Sequence, residues 1–411
     1  MKADVAVLGA GIVGTCVAIH LARRGRAVTL IDRGEAGGET SFGNAGLIQR
    51  EGVAPYAFPR AFLKLARYGL NRSLDMRFGW SALPALAGPL ARYWWHSRPS
   101  EYARIVRDYA QFIAHSVSEH APLIEESGAG NLIARDGWID VYRTRRAFED
   151  EQAEAEDQRA LGVEHRVLDA GELARLEPAL APVFVGAIHR TQPWTVRDPL
   201  ALTQAYLRLF KSLGGSFRRG DGMTLREDGD GWQVQTDTGP LRAREVVVAM
   251  GPWSDNLMRG LGRRLPFFVK RGYHAHYRPR DGAEQRHAIH DEAGYVVAPM
   301  AAGLRLTTGA QFMRRDAPPD PAQVAACEAA ARPAFPLGEQ IAGSIWMGSR
   351  PCTPDMKPVI GPGHRRGLWL ATGHAHHGLT LAAATGRLLA EMMTGETPFV
   401  DPAPYRMDRF R

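Results

Sequence analysis

The first 32 residues constrain the fold more than any other part of the chain. An apolar run ending at Leu8 precedes Gly9-Ala10-Gly11-Ile12-Val13-Gly14, a helical pattern then ends near Gly25, and a second apolar run ends in Asp32. Spaced glycines between a strand and a helix, with an acidic residue at the end of the next strand, are typical of a dinucleotide-binding βαβ unit. The sequence therefore predicts an α/β fold that starts with a Rossmann-type domain.

Each glycine of this motif has its own predicted role. Gly9 permits the tight turn, and Gly11 lets a pyrophosphate approach the N–H groups at the start of the helix. Gly14 lets the helix pack closely against the strand. The Asp32 carboxylate is expected to accept hydrogen bonds from an adenosine ribose. These residues alone leave the identity of the dinucleotide open.

The composition excludes several other classes of protein. A chain of 411 residues with 45% hydrophobic and 23% charged residues is an ordinary globular protein of two or three domains. Three scattered cysteines, Cys16, Cys327 and Cys352, are too few for a disulfide framework or a zinc site, and we expect no metal. The net charge of +7 is not gathered into a lysine and arginine tract, so we expect no nucleic-acid partner.

The distribution of apolar residues bears on localisation. We find no apolar run of the length that a membrane span needs, and the N-terminus enters a strand at once instead of offering a signal-peptide pattern. We therefore expect a cytoplasmic protein, either free or peripheral on the inner face of the cytoplasmic membrane.

The segment from Pro59 to His96 is rich in basic and aromatic residues. We predict helices here that are broken at Pro84 and Pro89. Two interpretations stay open. Basic and Trp or Tyr side chains suit shallow contact with anionic lipid. The same segment could equally form a lid or a subunit contact in which the aromatic side chains are buried.

The rest of the chain alternates between two kinds of pattern. Asp198-Pro199 predicts the start of a helix, residues 265–312 alternate like an antiparallel sheet, and the last 70 residues return to strand, glycine loop and helix. We predict a Rossmann-type cofactor domain from residues 1–50, 186–255 and 340–411. Residues 51–185 and 256–339 are predicted to form an α+β substrate domain that contains the antiparallel sheet, with the active site between the two domains.

Two further motifs identify the family that the sequence resembles. Asp32-Arg33 is followed by a small-residue loop from Gly37 to Leu47, and Arg350-Pro351-Cys352-Thr353-Pro354-Asp355 precedes Leu368-Trp369-Leu370-Ala371-Thr372-Gly373-His374. With these motifs, the chain resembles flavoenzymes of the D-amino-acid oxidase superfamily, most closely the bacterial D-amino-acid dehydrogenases. The resemblance covers nearly the whole chain, including Lys270-Arg271-Gly272-Tyr273 and the ending Gly395 to Pro398.

The resemblance implies an enzyme that binds FAD and oxidises the C–N bond of an amino acid. The final helix would point its N-terminus at the pyrimidine edge of the flavin, where negative charge accumulates on reduction. The residues that the resemblance places against FAD are Gly9, Gly11, Ile12, Val13, Gly14, Asp32, Arg33, Thr40, Ser41, Asn44, Ala45, Gly46, Leu47, Met223, Ala249, Gly251, Trp253, Gly348, Gly373, His374, Gly378, Leu379 and Thr380.

The resemblance also implies residues that contact the substrate. Arg350 would bind the substrate carboxylate through two charge-assisted hydrogen bonds. Tyr295 would present a hydroxyl to the substrate, and Tyr273 or His274 would face inward, since neighbours on a strand point to opposite faces.

The loop after Thr372 carries three closely spaced histidines, His374, His376 and His377. No acidic ligand pattern accompanies them, so we expect a role in the substrate pocket for at least one, with His377 as the candidate, and no metal.

Two cysteine positions bear on how FAD is held. Sarcosine-oxidase-like relatives attach FAD through a cysteine where this chain has Gly348, so the resemblance implies noncovalent FAD. Cys352 directly adjoins Thr353, and we interpret it as a packing residue.

The implied reaction is hydride transfer from the α-carbon to the flavin, followed by hydrolysis of the imine. The electron acceptor could be O₂, a quinone or a protein carrier. Within this class we expect a small or apolar D-amino acid, with cis-4-hydroxy-D-proline, glycine and sarcosine as alternative substrates. Two hypotheses from other classes are an NAD-dependent enzyme and a noncatalytic or electron-relay flavin subunit of a larger complex.

Overall fold

The computed structural model describes residues 2–410. The helices are α1 (Ile12–Arg23), α2 (Phe62–Gly69), α3 (Leu83–His96), α4 (Pro99–Ile113), α5 (Ser116–Glu126), α6 (Arg145–Gln158), α7 (Ala170–Leu176), α8 (Pro199–Ser212), α9 (Ser254–Gly260), α10 (Ala322–Ala331) and α11 (Gly378–Thr394). The strands are β1 (Lys2–Leu8), β2 (Val28–Asp32), β3 (Leu47–Ile48), β4 (Met76–Phe78), β5 (Ile133–Ala134), β6 (Trp138–Tyr142), β7 (His165–Asp169), β8 (Gly186–Arg190), β9 (Trp194–Val196), β10 (Ser216–Asp228), β11 (Gly231–Thr236), β12 (Gly239–Val248), β13 (Phe268–Pro279), β14 (Ala288–Asp291), β15 (Tyr295–Met300), β16 (Gly303–Thr307), β17 (Ala310–Phe312), β18 (Leu337–Gln340), β19 (Trp346–Cys352), β20 (Val359–Pro362) and β21 (Leu368–Thr372).

The first sheet is the predicted Rossmann-type sheet. Strand β1 runs parallel to β2 and β12, β2 runs parallel to β10, and β12 runs parallel to β21. Strands β11 and β20 add antiparallel pairings. Helices α1 and α11 cross so closely that a Cβ on Gly386 would lie 2.7 Å from the carbonyl oxygen of Cys16. The backbones of these two long helices therefore pack directly against each other.

Local signals in the sequence account for the ends of these helices. Gly25 follows α1 with φ of +72°, in the left-handed region that glycine adopts without strain. Asp198 caps α8, because its Oδ1 accepts a hydrogen bond of 2.9 Å from the N–H of Ala201, and Pro199 occupies the first turn. The predicted helix after Asp198 is confirmed.

The second sheet contains eleven of the described strands, in the order β4-β17-β13-β16-β15-β14-β6-β8-β7, with β18 and β19 also paired to β13. It is antiparallel except at β6–β14 and β4–β17. Alternate residues of its strands face opposite ways, so Tyr277 and Val297 enter a hydrophobic core with Phe335 on α10's side. Lys270 and His290 lie on the other face, which borders a cleft. The prediction of an α+β part with an antiparallel sheet is confirmed.

The strands are distributed along the chain differently from the predicted domain segments at two places. Strand β8 pairs with β6 and β7 in the second sheet, although residues 186–190 were assigned to the cofactor domain. Strand β19 pairs with β13 in the same sheet, although residues 346–352 were assigned likewise. Short strands carry no local signal for the sheet they join, because that depends on partners distant in sequence. The domain boundaries themselves stay a prediction.

The basic and aromatic segment contains α2, β4 and α3. Pro84 lies in the first turn of α3, where no backbone N–H is needed, but Pro89 lies inside the helix instead of ending it. Burial of Leu86, Leu90 and Tyr93 in a hydrophobic cluster compensates for the hydrogen bond that Pro89 removes. Among residues 2–410, no helix is long and apolar enough to cross a membrane.

Candidate active site

The glycine loop between β1 and α1 has the geometry that the motif predicts. Gly9 has φ of +103°, and a Cβ there would lie 2.4 Å from the carbonyl oxygen of Ala249. A Cβ on Gly14 would lie 1.9 Å from the carbonyl oxygen of Gly9. Both contacts are impossible for any other residue, so this loop admits only glycine at these positions. The N-terminus of α1, which begins at Ile12, then lies open to a group carrying negative charge.

Asp32 lies at the end of β2 and has two roles. Its Oδ2 accepts a hydrogen bond of 2.7 Å from the N–H of Ala10, which fixes the glycine loop, and its Oδ1 accepts one of 3.0 Å from the N–H of Gly34. A carboxylate oxygen has two lone pairs, so Oδ1 can also accept from a ribose hydroxyl. The neighbouring Arg33 guanidinium stacks on the Trp253 ring at 4.3 Å.

The loop from Gly37 to Leu47 joins the two sheets beside this site. The N–H of Ile12 donates to Ser41 Oγ at 3.0 Å, so Ser41 already occupies one donor of the α1 N-terminus. Thr40 Oγ1 donates to the carbonyl oxygen of Ser349 at 3.2 Å, which ties the loop to β19. The N–H of Gly46 donates to Asn44 Oδ1 at 2.8 Å. This loop is therefore held against both the glycine loop and the second sheet.

A single cleft of about 870 Å³ runs from the glycine loop to the second sheet. That volume lies in the range of ligand sites in proteins. The predicted cofactor residues that line it are Gly9, Gly11, Ile12, Val13, Asp32, Arg33, Thr40, Ser41, Asn44, Ala45, Leu47, Met223, Ala249, Gly251, Trp253, Gly348, His374, Gly378 and Leu379.

Four predicted cofactor residues do not line the cleft. Gly14 and Gly46 act through backbone packing, because a Cβ on Gly46 would lie 2.4 Å from the carbonyl oxygen of Val196. Gly373 has φ of +77° in the turn before α11. Thr380 Oγ1 donates to the carbonyl oxygen of Leu47 at 3.1 Å, so it ties α11 to β3. These four residues support the walls of the cleft, and their direct contact with the cofactor stays a prediction.

Arg350 lies on β19 at the far end of the cleft. Its Nη1 donates to the carbonyl oxygen of Gly309 at 2.8 Å, and its Nη2 lies 3.4 Å from that of Thr308. The guanidinium passes over Gly272, where a Cβ would lie 2.4 Å from Nη2. No acidic partner pairs with Arg350 among the described residues. Its remaining N–H groups are therefore available to an anion, as the prediction requires.

The two predicted tyrosines touch the cleft, but protein groups already bind their hydroxyls. The Tyr295 hydroxyl donates to Asp291 Oδ2 at 3.0 Å. The Tyr273 hydroxyl donates to Gln311 Oε1 at 2.8 Å and accepts from Arg271 Nη2 at 2.5 Å and from the N–H of Asp320 at 3.0 Å. One donor and two acceptor positions are all that a hydroxyl has, so Tyr273 cannot hydrogen-bond a substrate without losing a partner.

The three histidines before α11 point in different directions. His376 lines the cleft beside the Tyr56 ring, at a centroid distance of 4.8 Å. His374 also lines it, with Nε2 2.9 Å from Thr385 Oγ1. His377 is buried away from the cleft lining, with Nδ1 2.6 Å from the Tyr109 hydroxyl, and burial lowers its pKa to about 3. Of His376 and His377, it is His376 that lines the cleft, and a role of His377 in the substrate pocket stays a prediction that this position does not favour.

Lys270 is a cleft residue to which the sequence analysis gave no role. It pairs in register with Arg350 across β13 and β19, and its Nζ lies 3.2 Å from the Tyr93 hydroxyl. Burial, and to a lesser extent the charge of Arg350, lower the pKa of Lys270 to about 8. The alternation of β13 could have predicted this position from the sequence, because Lys270 and Gly272 lie on the same face of the strand.

Most of the chain matches one family of known proteins. The family described as DAO, FAD dependent oxidoreductase, matches residues 4–392. The chain belongs to this family. It is therefore an enzyme whose cofactor is FAD, and the NAD-dependent alternative is wrong. The glycine contacts at Gly9 and Gly14 and the volume of the cleft fit a dinucleotide of this kind.

Similar proteins include both oxidases and dehydrogenases. A D-amino-acid oxidase from Bradyrhizobium diazoefficiens is 31% identical over 99% of this chain and 98% of its own. A D-amino acid dehydrogenase from Chromohalobacter salexigens is 31% identical over 99% of both chains. The crystal structure of glycine oxidase from Geobacillus kaustophilus aligns with a TM-score of 0.73 and 24% identity, over 99% of this chain and 98% of that one. That structure shows a shared fold.

Proposed function

We propose that this enzyme oxidises the bond between the α-carbon and the nitrogen of a D-amino acid, and that water then hydrolyses the imine to a keto acid and ammonia. The observation that supports the proposal is the position of Arg350, whose unpaired guanidinium lies in the same cleft as the glycine loop and the start of α11. Relatives with 31% identity that are named D-amino-acid oxidase and D-amino acid dehydrogenase support the D configuration.

The residues of the chain contribute mainly by positioning. FAD, when bound, accepts the hydride from the α-carbon. Arg350 binds the carboxylate through parallel hydrogen bonds, while the carbonyl groups of Thr308 and Gly309 fix the plane of its guanidinium. The N-terminus of α11, at Gly378 and Leu379, offers backbone donors to negative charge in the cleft. An amine whose pKa falls on desolvation loses its proton to water, so the proposal needs no side-chain base.

The cofactor is held without a covalent bond in this proposal. Gly348 lines the cleft and has no side chain that could attach to FAD. Cys352 borders the cleft but is buried in a hydrophobic cluster, with Sγ 3.6 Å from the carbonyl oxygen of Arg350. Acid precipitation of the purified enzyme is expected to leave all of the yellow colour in the supernatant. Colour in the pellet would show a covalent link.

Anaerobic reduction of the flavin tests the proposed reaction. We expect D-amino acids to bleach the visible flavin absorbance and their L enantiomers to leave it unchanged. The panel includes glycine, sarcosine and cis-4-hydroxy-D-proline, and faster bleaching by one of these would replace the D-amino acid as the substrate. If no compound of the panel bleaches the flavin, the proposed oxidation of an amino acid is wrong.

For the electron acceptor we propose a quinone that the enzyme reaches at an anionic membrane surface. The supporting surface is the apolar patch, which we define as Phe62, Leu63, Trp80, Trp94 and Trp95. All five side chains are exposed, Phe62 by 80% and Leu63 by 82%. Large apolar side chains that are exposed together within one segment are typical of a contact with a membrane or a protein.

The charge around the patch favours the membrane. Residues 53–100 contain seven lysines and arginines but a single acidic residue, Asp75, so this segment carries most of the net charge of +7. The Arg60 guanidinium stacks on Trp94 at 4.2 Å, and that of Arg98 stacks on Trp95 at 3.4 Å. Cations beside interfacial tryptophans suit anionic headgroups. Residues 56–61, which lead into the patch, also line the cleft.

Vesicle binding tests this acceptor. We expect the enzyme to sediment with vesicles that contain phosphatidylglycerol but not with pure phosphatidylcholine, and added salt should release it. The double variant F62S/L63S should lose binding while its flavin is still reduced by substrate. A quinone analogue should then reoxidise the wild-type flavin faster than O₂ does. If the enzyme binds neither kind of vesicle and is a dimer in solution, the patch is a subunit contact instead. If O₂ reoxidises the flavin faster than the quinone analogue does, the enzyme is an oxidase.

A further inference from the structure

A buried ion pair supports one histidine of the cleft wall. His290 lies on β14 and lines the cleft, and its Nδ1 donates to Asp140 Oδ1 at 3.0 Å. The other oxygen of Asp140 accepts a hydrogen bond of 3.1 Å from Arg190 Nε. The side chains of Asp140 and Arg190 are 10% and 5% exposed, whereas that of His290 is 28% exposed. Within the described part of the chain, no protein group hydrogen-bonds His290 Nε2.

The surroundings favour the charged form of His290. Burial acts to lower its pKa, but the hydrogen bond and the charge of Asp140 outweigh burial and raise the pKa above its ordinary value. The pKa of Asp140 is correspondingly lowered, because His290 and Arg190 together outweigh its own burial. A carboxylate that is hydrogen-bonded on both oxygens holds the imidazolium in place, and the second N–H of this cleft residue is left without a protein acceptor.

His290 and Arg350 lie on the same face of the second sheet. His290 is in register with Val296, and Val296 with Thr307, so the three side chains form one row across β14, β15 and β16. The Thr307 hydroxyl is buried and has no hydrogen-bond partner in the described chain, so the row includes an unused polar group. The guanidinium of Arg350 lies over the carbonyl groups that directly follow Thr307.

The spacing suits a substrate with two carboxylates. Two strand spacings, from β16 to β14, come to about 10 Å. The side chains of His290 and Arg350 extend over this span from one face of the sheet, so a short substrate with two carboxylates can contact both cations.

We propose that His290 binds a second carboxylate on the substrate, so that the preferred substrates are D-amino dicarboxylates such as D-glutamate. This inference rests on the proposed amino acid oxidation and names its substrate class. It replaces the expectation of a small or apolar substrate, because a cationic side chain in the cleft suits an acidic substrate instead.

Asp75 offers the competing interpretation. It also lines the cleft, accepts a hydrogen bond of 2.6 Å from the Tyr68 hydroxyl, and has no cation partner among residues 2–410. A cationic side chain could therefore bind there. However, Asp75 lies beside Gly309, since its carbonyl oxygen accepts from the N–H of Ala310, and this is the end that Arg350 occupies. An amino acid held by Arg350 has its α-amino group at that end, and its side chain extends away.

The isosteric pair D-glutamate and D-glutamine tests the inference in the holoenzyme. We expect D-glutamate to reduce the flavin with a rate constant divided by Kd that is about tenfold or more above that of D-glutamine, the effect of one charge-assisted hydrogen bond. In H290Q this ratio should fall to about one. The matched control H364Q removes an exposed histidine outside the cleft and should keep the wild-type ratio.

The other outcomes separate the two proposals. Equal rates for the pair in the wild type, a ratio that H290Q leaves intact, or a preference for D-lysine would each overturn the role of His290 while D-amino acid oxidation stands. If no D-amino acid reduces the flavin, both proposals fall together. The wild-type ratio decides the question even if H290Q does not fold.

Discussion

Removal of the Arg350 guanidinium is the perturbation with the clearest expected consequence. Two of its five N–H groups donate to the carbonyl groups of Thr308 and Gly309, and the others have no protein acceptor among the described residues. Substitution to alanine removes both carboxylate hydrogen bonds of the substrate but leaves the glycine loop and the residues around α11 unchanged. We therefore expect R350A to keep its FAD and to lose binding and alignment of the substrate.

The size of the loss follows from the hydrogen bonds. Each hydrogen bond to a charged group contributes about 1.5–3 kcal/mol, so two contribute roughly 3 kcal/mol or more. At about 1.4 kcal/mol per factor of ten, R350A should lose at least ~100-fold in reductive efficiency. Lys270 lies next to Arg350 on β13 and keeps one cation nearby, which favours the lower end of this range. R350K keeps the charge and one bond, so its loss should be about tenfold.

Stopped-flow reduction under anaerobic conditions measures the effect as the rate constant of bleaching divided by the substrate Kd. The matched control is R332A, because Arg332 also donates to two backbone carbonyl groups, those of Leu337 and Gly338, but lies outside the cleft lining. It should reduce at the wild-type rate. An R350A enzyme with full FAD content and near-native efficiency would refute the assignment of Arg350 to the carboxylate.

Three further predictions concern supporting residues. D32N should bind FAD about tenfold more weakly, because the bond from Ala10 N–H loses its charged acceptor; flavin fluorescence on dilution measures this, and unchanged affinity would contradict it. Lys270 has a pKa of about 8 when folded and about 10.4 when unfolded, so wild-type stability should rise between these pH values. K270M removes the buried ammonium, so it should be more stable than the wild type at pH 7. This difference in unfolding free energy should shrink by about 1–3 kcal/mol by pH 10 in urea titrations, and a pH-independent difference would be evidence against a desolvated ammonium. Y109F should lose about 1–3 kcal/mol of unfolding free energy, because His377 Nδ1 loses its hydrogen-bond partner. The rate of flavin reduction by substrate should stay unchanged, and a slower rate would show that His377 contributes to the reaction.

The cofactor end of the site could be predicted from the sequence because its requirements are local. Gly14 is required because a Cβ there would lie 1.9 Å from the carbonyl oxygen of Gly9 in the same turn, and Gly9 is required by its own φ of +103°. The position of Asp32 follows from the length of the βαβ unit. Helix ends such as the Asp198 cap are set by neighbouring residues in the same way.

The substrate end could be predicted only in part, because its partners are distant in sequence. The hydroxyl of Tyr273 is bound by Gln311 and Asp320, which no alternation pattern of β13 reveals. Ala375 has φ of +50°, and this left-handed residue changes the direction of the histidines that follow, so alternation could not separate His376 from His377. His290 and Asp140 are 150 residues apart.

A holoenzyme crystal structure with a non-reacting carboxylate bound would test most directly that one cleft holds both the cofactor and the substrate. We expect one FAD, with its pyrophosphate at the start of α1 and its ring beside α11, and the inhibitor carboxylate hydrogen-bonded to Arg350. A flavin ring outside the cleft, or a carboxylate bound elsewhere with Arg350 unoccupied, would contradict this arrangement.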